Sequence, residues 1–210
     1  MRHAVCLFSG GKDSVFAAWW ALSQGFEVSL LTMESEEYSH MFHHPNVRWT
    51  RLQAQAAGLP HSITKTSGES ELADMEKVIS SMGAEAIVAG AVASDYQRQR
   101  IEQIGENLGI PTYSPLWHKE DVLMKEMLEY FEIYTIAVSA EGLGPESLAK
   151  PFSELVKKAP TSIHPFLEGG EGETFVANAP FFQKRIIIDG WDVKWDGVRG
   201  IAEITGAHLS

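Results

Sequence analysis

Short apolar, β-rich runs alternate with longer stretches of helical periodicity through most of the chain. The pattern predicts strands at residues 4–8, 27–33, 62–66, 86–89 and 133–138. Helices are predicted between them at 14–24, 48–57, 69–82, 94–108 and 119–130. Glycines stand where C-caps belong after the first four helices, at Gly25, Gly58, Gly83 and Gly109. Such alternation is the signature of a doubly wound, mostly parallel sheet covered by helices, an α/β fold. From about residue 140 the pattern changes. A short helix at 152–158 and a glycine-glutamate loop at 168–173 precede β-rich runs at 183–189, 191–195 and 198–205. The last three are separated by Asp189-Gly190 and Asp196-Gly197, both read as hairpin turns. The expected division is a main domain over 1–139 and a small, mainly antiparallel C-terminal domain over 140–210.

A length of 210 residues accommodates one such domain and a small appendage. No apolar run approaches the roughly 20 residues of a membrane helix, and the apolar start leads directly into a glycine turn instead of a cleavage site. Cys6 is the only cysteine, so no intrachain disulfide forms and the cytoplasm is the expected compartment. The formal charge of −11 disfavours a nucleic-acid partner and favours a small molecule or a protein.

Chemistry concentrates first at Ser9-Gly10-Gly11-Lys12-Asp13-Ser14, between a predicted buried strand and a helix. Backbone N–H groups and the helix N-terminus can converge there on one anion, and phosphate is the natural guest. Cys6 replaces the first glycine of a Walker A loop, and Asp13 stands where Ser or Thr would hold magnesium. The bland alternative is a strand-to-helix turn in which the glycines relieve strain and Ser14 caps the helix.

This hexapeptide after an N-terminal strand resembles the pyrophosphate loop of the N-type ATP pyrophosphatases, which have a Rossmann-like fold of the adenine nucleotide alpha hydrolase type. The resemblance implies that Ser9, Gly10, Gly11 and Ser14 cradle the phosphates of ATP. It also implies that Lys12 offsets their charge and that Asp13 helps hold magnesium. Leu31-Thr32-Met33, Met41-Phe42-His43, the stretch from Gly90 to Gln97, Pro115-Leu116-Trp117 and the stretch from Glu168 to Val176 together resemble the diphthine–ammonia ligase family. By that resemblance Thr32, Met33 and Gly90 join the ATP site, and Ser94, Asp95, Gln97, Trp117, Glu171 and Thr174 meet the acyl substrate. Lys12, Asp13 and Glu171 are the implied catalytic residues. The implied substrates are ATP, ammonium and the diphthine of translation elongation factor 2. Trp117 offers an aromatic face for a quaternary ammonium. Asn178 and Gly172 depart from the family pattern. The sequence leaves the oligomeric state open, a homodimer among the options.

Thiolation of tRNA would need reactive cysteines, and lysidine-type chemistry a surface that neutralises phosphates; neither is evident. A glutaminase would need an N-terminal cysteine or a further Cys-His domain, so ammonium is the expected nitrogen donor. A regulator that holds ATP without turning it over needs no acyl site. His40, His43 and His44 invite a metal reading, but no cysteine accompanies them.

Overall fold

The computed structural model describes residues 1–34, 46–66, 70–139 and 142–210. The three histidines and the motif Met41-Phe42-His43 lie outside the described residues. Five strands, β1 (His3–Leu7), β2 (Glu27–Glu34), β3 (His61–Lys65), β4 (Ala86–Val88) and β5 (Thr112–Tyr113), form one sheet in the order β3-β2-β1-β4-β5. Every pairing in it is parallel. Alternate residues of the central strand serve two cores: Ala4 and Cys6 face one side, Val5 the other. On the first side pack α1 (Lys12–Ser23) and α5 (Glu120–Tyr130), through residues such as Phe16 and Met127. On the second pack α3 (Glu71–Ser81) and α4 (Asp95–Leu108), through Met75, Ile79, Ile101 and Ile104. Helices on both faces explain why these strands read as unbroken apolar runs, and the fold is the doubly wound α/β class.

The second sheet is antiparallel. Its order is β7 (Lys150–Pro151), β6 (Glu132–Val138), β10 (Gly200–Leu209), β9 (Ile186–Trp195), with β8 (Gly172–Asn178) also paired to β6. The predicted strand at 133–138 therefore belongs to this sheet and not to the parallel one, which is completed instead by the two-residue β5. Asp189-Gly190 is not a hairpin turn either. β9 runs straight through it, with register shifts around Gly206 opposite. Asp196-Gly197 does turn the chain: Asp196 Oδ1 accepts from the Val198 and Arg199 N–H groups.

Helix α2 (Thr50–Ala57) crosses from one sheet to the other. Ala56 packs with Ile136, Phe175, Ala177, Ile186 and Ile204 of the antiparallel sheet, and Trp49 Nε1 donates to the Ile204 carbonyl. Among the described residues no helix is long and apolar enough to cross a membrane.

Candidate functional site

In the order β3-β2-β1-β4-β5 the connections reverse direction between β1 and β4, so the loops after these two strands part and leave a crevice at the carboxyl edge. A cavity of about 660 Å³ opens there. One wall is the glycine turn after β1; another is formed by Ala89 and Gly90 after β4 and by Ser94 and Gln97 at the start of α4. The third comes from the other sheet, the segment from Phe166 to Thr174. Two helix N-termini, those of α1 and α4, thus face one space, an arrangement that draws negative charge.

The turn is built around the Ser14 hydroxyl. Its Oγ accepts from the N–H groups of Ser9 at 3.2 Å and Gly10 at 3.1 Å and donates to the Gly11 carbonyl. Helix α1 is not capped by that side chain: Gly11 is the N-cap, and the first helical bond runs from Val15 N–H to Gly11 C=O. Gly10 has φ of +82°. Gly90 is required by proximity, since a Cβ there would lie 2.6 Å from the Asp13 carbonyl carbon.

Four groups that sequence reasoning did not single out hold this turn. Gln53, fully buried on α2, donates from Nε2 to both the Gly10 and Val176 carbonyls at 2.8 Å. The Val176 N–H donates to the same Gly10 carbonyl. His61 lies within 2.8 Å of Thr32 Oγ1, whose own proton goes to the Phe8 carbonyl, so the imidazole donates from Nε2. Burial, aided by the Arg51 charge, lowers His61 to about 4 and keeps it neutral. The carbonyl of Phe166 receives the Lys12 ammonium at 2.7 Å. A polar residue on the inward face of an amphipathic helix is the one sequence signal that could have pointed to Gln53.

Lys12 is buried, with 2% of its surface exposed. Its Nζ is 2.8 Å from Asp13 Oδ2 and lies over the rings of Phe152 and Phe166. Burial raises the Asp13 carboxyl above the ordinary range, and the Lys12 charge and hydrogen bond oppose that rise. Asp13 Oδ1 is buried without a hydrogen-bond partner among the described residues. Magnesium takes one or two carboxylates and completes its shell with phosphate oxygens and water. A carboxylate with one oxygen held and the other free beside a phosphate turn fits that pattern.

Thr32, Met33, Gly90, Ser94, Gln97 and Thr174 all line the cavity with Ser9, Gly11, Lys12, Asp13 and Ser14. Thr174 Oγ1 accepts from the backbone N–H of Lys12 at 3.0 Å, which ties β8 to the turn. Three expected residues stand elsewhere. Asp95 is exposed at the first position of α4. The Trp117 ring is covered by the Arg98 guanidinium, 4.6 Å from its centre, so the face expected to take a substrate cation already holds one. Glu171 spends Oε2 on the His164 N–H, and the glutamates of its segment that line the cavity are Glu168 and Glu173. Cys6 is buried in β1, where desolvation pushes its thiol up to about 12.

Comparison with known proteins places the whole chain. The diphthamide synthase N-terminal domain matches residues 1–112, and the diphthamide synthase C-terminal domain matches residues 119–209. A diphthine–ammonia ligase of Bos taurus is 31% identical, the alignment covering 92% of this chain and 85% of that protein. A diphthine–ammonia ligase of Schizosaccharomyces pombe is 32% identical over 89% of this chain but only 36% of its own length. Among solved structures, a predicted subunit of a tRNA methyltransferase from Methanocaldococcus jannaschii aligns at 17% identity with a TM-score of 0.49, covering 86% of this chain and 98% of that one.

Proposed function

Because the chain belongs to the diphthamide synthase family, we propose that it is an ATP-dependent ligase of the cytoplasm that forms a carbon–nitrogen bond, converting diphthine on translation elongation factor 2 to diphthamide. The observation that carries this reading is the shared cavity: the phosphate turn and the glycine-glutamate segment, far apart in sequence, form facing walls of one space.

In this reading the diphthine carboxylate attacks the α-phosphorus of ATP, pyrophosphate leaves, and ammonia then displaces AMP from the acyl adenylate. Residues 9–14 bind the phosphates through backbone N–H groups and the α1 N-terminus, supplying positioning and electrostatic stabilisation. Asp13 would help hold magnesium, which would neutralise phosphate charge. Thr32, Met33 and Gly90 contact the nucleotide, while Ser94, Gln97, Glu168 and Glu173 face the acyl group and ammonium. Residues 1–139 accordingly contribute the nucleotide contacts together with Ser94 and Gln97, and residues 140–210 contribute Glu168 and Glu173 to the acyl side. Ammonium is the donor, because glutamine hydrolysis needs an activated nucleophile and the only thiol is held neutral in the core.

The test is to incubate the protein with ATP, magnesium, ammonium and an elongation factor 2 bearing diphthine. AMP, pyrophosphate and a modified histidine whose mass has changed from acid to amide are expected. ADP and phosphate as the only nucleotide products, or turnover on glutamine alone, would contradict the scheme.

A further inference from the structure

Among the described residues the buried ammonium of Lys12 has two oxygen partners, and only one, Asp13 Oδ2, belongs to its own turn. The other, the Phe166 carbonyl, sits on a loop of the second sheet, so the place of the Lys12 charge depends on how that loop is held. His164 uses every backbone polar group it has, and one ring nitrogen, to hold it. Its N–H donates to Glu171 Oε2 at 2.9 Å, and its carbonyl accepts from the Leu167 N–H at 2.8 Å. Its ring Nδ1 accepts from the Phe166 N–H at 3.2 Å. Leu167, the next residue, is in the left-handed region at φ +59°, a conformation that a leucine adopts only when its surroundings impose it. His164 itself does not line the cavity.

We infer that His164 is a positioning residue of the nucleotide site: it fixes the turn at 164–167 so that the Phe166 carbonyl holds Lys12 in place beside Asp13. The inference rests on reading the cavity as an ATP site. It assigns Glu171 a share in the same task, because the carboxylate anchors the His164 N–H from the far end of the loop. What the turn needs from residue 164 is an acceptor two residues before an N–H, and an asparagine oxygen meets that need as an Asx-turn does. Acid–base chemistry by an imidazole could not be replaced in this way.

The experiment measures binding of ATP–magnesium by calorimetry to the full chain and to two variants. His164→Asn keeps the acceptor and is expected to bind within threefold of the original protein. His164→Leu keeps the bulk, loses the acceptor and is expected to bind at least tenfold more weakly while its near-ultraviolet circular dichroism remains native. An asparagine variant as weak as the leucine one, or a leucine variant that binds normally, overturns the inference. Should His164→Leu fail to fold, His164→Asn decides alone: binding within threefold supports the role, and a tenfold loss refutes it. If the original protein binds no ATP, the ligase reading fails and this inference falls with it. Intact binding there with a failed asparagine rescue sinks only the role of His164.

Discussion

At the scale of single residues, burial favours the neutral form of both Asp13 and His61, and so moves their pKa values in opposite directions. In Asp13 it favours the neutral acid, and the Lys12 ammonium at 2.8 Å works against it, leaving one oxygen paired and one open. Asp13→Ala removes that open oxygen and leaves Lys12 with the Phe166 carbonyl. Amide formation is expected to fall by at least about 10²-fold, the scale of losing one preorganised electrostatic partner. An unchanged rate in a product assay would reduce the turn to a plain strand-to-helix connection. In His61 burial and Arg51 disfavour the cation, giving about 4 against an ordinary 6.5. The unfolded chain takes up this proton as the pH falls below about 6.5, but the native protein resists until about 4. The stability contributed by the neutral ring is therefore full above about 6.5 and is lost as the pH falls from there through 4. His61→Gln can still donate to Thr32 and does not titrate. It should flatten the fall in Tm between about pH 7 and about pH 4.5; a melting series with the original slope would rule out His61 as a source of acid sensitivity.

Among elements, α2 is the one whose placement matters most to the site, because it carries Gln53 between the two sheets. Gln53→Met preserves length and apolar packing but deprives the Gly10 and Val176 carbonyls of a donor. The expected loss is about 1–3 kcal/mol in urea-induced unfolding, the cost of leaving a buried polar group without its partner. A change below about 0.5 kcal/mol, within the range of an ordinary surface substitution, would show that Val176 N–H suffices to hold Gly10. Much of this scale was legible beforehand. β1, β2 and β4 are apolar because helices cover both faces, and α6 (Phe152–Lys158) falls where periodicity puts it. Partner choice was not legible. Residues 132–138 form a well-marked strand, but an apolar run carries no record of whether its neighbours are parallel, and these residues joined the antiparallel sheet. β5 is too short to produce any pattern. Asp-Gly signals a turn only where the flanking strands part, and at Gly190 the ribbon absorbs the glycine in an irregular register. The phosphate turn was legible as a motif because its chemistry is local. Its supports, Gln53, His61, Val176 and the Phe166 carbonyl, were not, because they reach it from distant parts of the chain.

At the scale of the whole molecule, the nucleotide site is assembled by both sheets, since β8 belongs to the antiparallel one yet supplies Thr174 and Val176 to the turn at 9–14. Thr174 has two possible duties, and they predict different measurements. Family resemblance assigns it to the acyl substrate, whereas in the structure its hydroxyl accepts from Lys12 N–H at the start of α1. That N–H precedes the first helical bond and has no partner within the helix ladder, so the hydroxyl satisfies a donor that burial would otherwise strand. Thr174→Val keeps the shape and removes the acceptor; Thr174→Ser keeps the acceptor and removes a methyl. If the hydroxyl organises the turn, the valine variant should bind ATP–magnesium about tenfold more weakly, which corresponds to about 1.4 kcal/mol, and the serine variant should bind normally. Amide formation at saturating ATP would then be affected far less than affinity in either. If instead both variants bind ATP normally and the valine variant alone fails to form amide, the hydroxyl serves the acyl group. The coupling of the antiparallel sheet to the nucleotide would then have to run through the Val176 and Gln53 contacts to Gly10.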